Sequence, residues 1–64
     1  MKSKDIIKIL KKDGWTKHRQ KGSHIQFKHP LKTGRVTVPH PKKNMPLKTI
    51  RSIFAQAEIE VNLR

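Results

Sequence analysis

A chain of 64 residues with 33% apolar residues and no cysteine leaves room for one small core. So short a chain buries only about 60% of its unfolded surface, and neither a disulfide framework nor a thiolate metal site is available to staple it. Sixteen Lys and Arg against four Asp and Glu give a formal charge of +12. The four acids are Asp5, Asp13, Glu58 and Glu60, so the stretch from Gly14 to Ala57 holds none. That asymmetry points to a polyanionic partner. A basic membrane-surface helix is the competing reading, but it does not fit a chain punctuated by turns and alternating strands. No apolar stretch has the length of a signal peptide or a membrane span, so a cytoplasmic location is expected.

Ser3 is placed to cap a helix starting at Lys4, with Asp5 in the first turn where the helix dipole favours negative charge. Ile6, Ile7, Ile9 and Leu10 share an arc of roughly 160°, opposite Lys4, Lys8, Lys11 and Lys12. Gly14 ends the helix as its C′ residue. Trp15 to Gln20 reads as a first strand, and Lys21-Gly22 as a turn in which Gly22 takes positive φ. Ser23 to Lys28 is a second strand with clean alternation: Ile25 and Phe27 point one way, His24, Gln26 and Lys28 the other. His29 to Gly34 forms the next turn, and Arg35 to Val38 a third strand with Val36 and Val38 inward. Pro39 to Asn44 is a basic crossing loop, since its prolines lack the N–H donor. A second helix carries Pro46 in its first turn, and Leu47, Ile50, Ile53, Phe54 and Ala57 share an arc of roughly 120°. Residues 58–64 fit either a short extended tail or a frayed segment.

These elements give an α+β domain of order α-β-β-β-α spanning residues 1–64. The three-stranded antiparallel sheet offers one apolar face, which both helices cover. The expected core is Ile6, Ile7, Leu10, Trp15, Ile25, Phe27, Val36, Val38, Leu47, Ile50, Ile53 and Phe54. The other sheet face is left to His24, Gln26 and Lys28.

The string Arg19-Gln20-Lys21-Gly22-Ser23-His24-Ile25-Gln26-Phe27 closely resembles the signature of HicA toxins, in which Gly-Ser-His-x-x-(Phe/Tyr) opens the second strand. Gly14-Trp15, Val38-Pro39-His40-Pro41 and Thr49-Ile50-Arg51-Ser52-Ile53 resemble the same family in the same order. Two positions depart from it. Lys48 stands where members often carry Gly, and Ala57-Glu58-Ile59 replaces an Ala-Gly-Ile ending. The resemblance implies a double-stranded-RNA-binding-like fold. It also implies an mRNA-cleaving toxin of a type II toxin–antitoxin system, held inactive by a HicB-like antitoxin. The family's catalytic histidine corresponds to His24.

RNA cleavage through the 2′-hydroxyl needs one group to take its proton and one to protonate the leaving 5′-oxygen. Histidine suits either role, with an ordinary pKa of about 6.5. The competing reading of His24 is an ordinary exposed histidine. Backbone N–H groups of Lys21, Gly22 and Ser23, with the Ser23 hydroxyl, are candidates to hold a phosphate oxygen, against the plainer role of a hairpin turn. Lys17, Arg19, Lys21 and Lys28 are candidate contacts to the RNA backbone, against the role of solvated surface charges. A second proton-transfer group is expected, and neither His18, His29 nor His40 claims it by position in the sequence. No metal or other cofactor is expected, since the histidines lack helical i, i+4 pairing and have no carboxylate among them. Trp15 belongs to the core and not to a base-stacking platform, so recognition should rest on charge and shape. The alternative functions are a non-catalytic RNA-binding module and a protein that docks only an acidic partner.

Overall fold

The computed structural model describes residues 1–60. Residues 61–64 of the tail, whose conformation the sequence leaves open, lie outside the described residues. The elements are α1 (Ser3–Asp13), β1 (Thr16–Lys21), β2 (His24–Lys28), β3 (Val36–Pro39) and α2 (Leu47–Gln56). The strands make one antiparallel sheet in the order β1-β2-β3. Ile25, Phe27, Val36 and Val38 are buried, with Ile6 and Leu10 of α1 and Ile50, Ile53 and Phe54 of α2 in the same core. His24, Lys28 and Thr37 on the opposite face are exposed. The α+β order and the one-sided helix layer follow the expected pattern.

Both helices end in the same hydrogen-bond pattern. At the end of α1, Gly14 N–H donates to the Lys11 carbonyl (3.1 Å) and Trp15 N–H to the Leu10 carbonyl (3.0 Å). At the end of α2, Glu58 N–H donates to the Ala55 carbonyl (3.2 Å) and Ile59 N–H to the Phe54 carbonyl (3.0 Å). These are Schellman motifs, which place one residue at positive φ. Gly14 fills that place at φ 111°, as expected, whereas Glu58 fills it at φ 55°. The hydrophobic partner of each motif is present: Trp15 is buried, and Ile59 packs against the core.

The loop between β2 and β3 ties the two helix ends together. His29 Nδ1 accepts the Leu31 and Lys32 N–H groups (3.0 and 3.2 Å). Its Nε2 therefore carries the proton and donates to the Asp13 carbonyl at 2.8 Å. The His29 ring meets Trp15 edge to face, with centroids 5.1 Å apart. Lys32 Nζ donates to Asp13 Oδ2 (2.6 Å) and to the carbonyls of Ala57 and Glu58 (both 3.0 Å). A cation on the carbonyls just past the C-terminal end of α2 complements its dipole. The same ammonium holds the Asp13 carboxyl below its ordinary value.

Four expectations need correction. Ser3 does not cap α1; it is the first helical residue, and Lys2 occupies the cap position. The Lys2 N–H instead donates to Asp5 Oδ2 at 3.2 Å. Ser3 is only 1% exposed because the 40–44 loop folds over it. Its N–H donates to the Lys42 carbonyl (2.9 Å) and its Oγ accepts the Lys42 N–H (2.9 Å). Pro46 stands at the cap position of α2 and not inside the first turn. Leu47 is 46% exposed, and Met45, on the extended approach to the helix, fills the core in its place. Ile7, on the rim of the apolar arc of α1, is half-buried.

Candidate functional site

β1 and β2 are joined by the two-residue turn Gly22-Ser23, closed by the pair Lys21 and His24. Gly22 has φ 58°, and Ser23 is not among the residues with positive φ. Positive φ at the first turn position matches the right-handed twist of the flanking strands. Gln20 Nε2 donates to the Gly22 carbonyl at 3.1 Å. The Ser23 carbonyl accepts the His40 N–H at 2.6 Å, which ties the turn to the end of β3. His40 is in turn fixed to α1, with Ser3 Oγ and His40 Nδ1 2.8 Å apart. Ser3 Oγ bonds the Lys42 N–H and the His40 ring at once. A buried serine on α1 thus braces the loop that braces the turn before His24.

Antiparallel partners project to the same face, so the register sorts the candidate residues. On β2, His24 pairs with Lys21 and with Pro39, and Gln26 pairs with Arg19 and with Thr37. Thr16 pairs with Lys28, whereas Lys17 pairs with the buried Phe27. Between Lys17 and Arg19 the register shifts by the extra residue His18. This β-bulge decides what surrounds His24. Under strict alternation from Thr16, Arg19 and Lys21 would point toward the helix layer with Lys17. The bulge flips their parity and brings both to the His24 face, the kind of re-aiming bulges perform.

The result is a groove lined by Arg19, Gln20, Lys21, Gly22, Ser23, His24, Gln26 and Thr37. None of these is acidic. Gln26 is one of them, and its Oε1 is shielded from solvent and without a donor partner. Arg19, Lys21, Gly22 and Ser23 therefore stand with His24, as the sequence suggested. Lys17 and Lys28 do not line this groove; they flank His18 in a neighbouring depression that reaches Gly14 and His29. His18 is held below its ordinary pKa, first by lost solvation at the bulge, then by the positive Lys28, Arg35 and Arg19. Repulsion from three cations on one side chain shows how dense the positive field over this face is.

A family model described as HicA toxin of bacterial toxin-antitoxin matches residues 3–59, from the start of α1 past the end of α2. The chain belongs to the HicA toxin family. No curated protein matches it. As a HicA toxin it is one half of a toxin–antitoxin pairing. Among the described residues no helix is long and apolar enough to cross a membrane, and no three His, Cys, Asp or Glu side chains gather to hold a metal ion.

Sequence reasoning missed two contributors to the site of this HicA toxin. Ser3 carried the signature of a helix cap, and nothing local to it signals a partner 37 residues away. The bulge at His18 had one available sign: the segment 16–21 is polar throughout, and all six residues are exposed. An edge strand without an apolar residue has no burial to hold it to strict alternation.

Proposed function

We propose that this HicA toxin is a metal-independent endoribonuclease that cleaves mRNA in the cytoplasm, with His24 as its proton-transfer group and residues 1–64 acting as one RNA-binding and ribonuclease domain. The observation that carries the reading is the exposed His24 in an acid-free groove between Lys21 and Arg19. A phosphodiester drawn there by Arg19 and Lys21 would lie beside the turn N–H groups and the Ser23 hydroxyl. His24 would take the 2′-hydroxyl proton as the 2′-oxygen attacks phosphorus, or protonate the departing 5′-oxygen. Either step belongs to one reaction: the P–O5′ bond breaks, leaving a 2′,3′-cyclic phosphate and a 5′-hydroxyl. Arg19, Lys21 and, farther along the face, Lys28 would stabilise charge developing on the phosphorane oxygens. Lys17, whose backbone faces the other side, is reserved for outer backbone contacts.

The test is paired measurement of cleavage and binding for wild type and His24→Ala in buffer with chelator. His24 is exposed, so truncation opens no cavity, and one histidine adds little to the attraction of so many cations. Cleavage should fall by about 10²–10⁴ while RNA affinity holds. Wild-type products should carry 5′-hydroxyl ends. Cleavage that persists in His24→Ala removes His24 as catalyst. Wild-type cleavage that stops with chelator removes the metal-independent mechanism.

One observation favours a second reading: His24 is the single histidine lining the groove, and the lining residues supply no carboxylate as its acid–base partner. A non-catalytic RNA-binding module needs none. Loss of binding together with cleavage in His24→Ala would support that reading. For the antitoxin, we infer a HicB-like protein that lays carboxylates over the His24 face. Such charge complementarity chiefly speeds association, so its rate should fall with added salt.

A further inference from the structure

A second groove runs along the free edge of the sheet. It is lined by Arg35 just before β3, by Thr37 of β3 and by Lys48, Ser52 and Gln56 of α2, with Thr49 beside them. Lys48, Ser52 and Gln56 recur every fourth residue, so they form one stripe over about 12 Å of helix. Every polar side chain in this groove can donate a hydrogen bond, and none is acidic. It faces the exposed edge of β3, which is the outer strand of the sheet.

Thr37 lines both this groove and the one holding His24. The two are therefore one polar track. It starts at the turn before His24, crosses the sheet beside Gln26 and Thr37, and bends round β3 onto α2. Two steps between strands of about 4.8 Å and the helix stripe together give a path of some 20 Å. Such a bend suits a flexible single strand. An A-form duplex is a rigid cylinder, and a molecule measuring 29 × 28 × 16 Å has no room to turn one around a single strand.

We propose that the β3–α2 groove is a second binding site for single-stranded RNA, which holds the strand on one side of the bond placed at His24. The proposal rests on the ribonuclease reading for the identity of the polymer, and it adds the direction in which the polymer leaves the site. Arg35 and Lys48 contact backbone phosphates there, with Thr37, Ser52 and Gln56 supplying neutral donors. Recognition in this extension is by charge and shape, since no aromatic side chain lines it.

The experiment measures binding of 2′-O-methyl oligoribonucleotides, which cannot be cleaved through the 2′-oxygen, at lengths of three and twelve nucleotides. Wild type is compared with Lys48→Gln and with Lys48→Gln combined with Arg35→Gln. Both positions are exposed, and unchanged circular dichroism confirms folding. Losing two phosphate contacts should lower the salt slope for the twelve-mer by about 1.4, which is about a sevenfold difference in affinity lost between 50 and 200 mM salt. The trinucleotide should bind wild type and variants alike. Twelve-mer binding unchanged in the double variant overturns the second site alone. Equal loss on both lengths also overturns it, by showing a general field effect. A twelve-base-pair duplex that binds as tightly as the single strand overturns the bent track. Wild type that binds neither oligonucleotide overturns the ribonuclease reading and the track with it.

Discussion

Replacing Ser3 with Ala tests the link between the fold and the His24 turn. Ser3 is 1% exposed and its hydroxyl makes two hydrogen bonds, accepting from Lys42 N–H and pairing with His40 Nδ1. Removing it strands the Lys42 N–H, at a cost of about 1–3 kcal/mol, and deletes a bond to His40 of about 1 kcal/mol. The lost oxygen leaves almost no cavity, so the sum is set by these bonds, at about 2–4 kcal/mol. At about 4–8 °C per kcal/mol for a domain of this size, the melting temperature should fall by about 8–32 °C. The loop it releases carries the His40 N–H that holds the Ser23 carbonyl. At a temperature where the variant stays folded, kcat for RNA cleavage should drop while affinity, set by surface cations, holds. Amide shifts at Ser23 and His24 in NMR spectra should move with it. Thermal melts by circular dichroism and single-turnover cleavage supply the two readouts, with the exposed Lys4→Ala as control. A Ser3→Ala protein as stable as wild type would refute the bracing role. One that is destabilised but cleaves with unchanged kcat would confine Ser3 to the core.

The two helix ends predict opposite outcomes for opposite changes. Gly14→Ala puts a Cβ 2.7 Å from His29 Nε2 at φ 111°; backbone strain of about 1–2 kcal/mol plus the displaced His29 bonds should destabilise by about 3 kcal/mol in a denaturant titration. Glu58→Gly relieves an L-residue from φ 55° and should stabilise by about 0.5–1 kcal/mol once the extra freedom of glycine in the unfolded chain is subtracted; an unchanged or lower midpoint would count against the Schellman assignment. The Asp13 carboxyl is held below its ordinary 3.8 by Lys32. Its contribution is therefore complete above that value and is lost as pH falls through the lower folded value, so Asp13→Asn should flatten the acid limb of a stability–pH curve. His18 should titrate below 6.5 by NMR, and its value should rise when a bound oligonucleotide neutralises Lys28, Arg35 and Arg19; no movement would place the RNA elsewhere.

How much of this was legible in the chain depends on the range of the interactions involved. Apolar spacing marks both helices, and alternation in His24 to Lys28 puts His24 on the open face, because each pattern is written within a few residues. Gly14 and Gly22 stand where a left-handed backbone is needed, a demand local enough to read from residue type. The Gly22-Ser23-His24 element located the candidate site for the same reason. The rest was decided by residues far apart in sequence. Ser3 has the chemistry of a helix cap, yet the 40–44 loop claims both hydrogen bonds of its hydroxyl. Leu47 fits the helical arc, yet Met45 reaches the core first. Lys32 looks like one more surface lysine, yet it clasps the ends of both helices. Above all, β1 has no apolar side chain to fix its parity, so only pairing with β2 could introduce the bulge at His18. That pairing, and not anything within the strand, turns Arg19 and Lys21 toward His24 and leaves Lys17 behind.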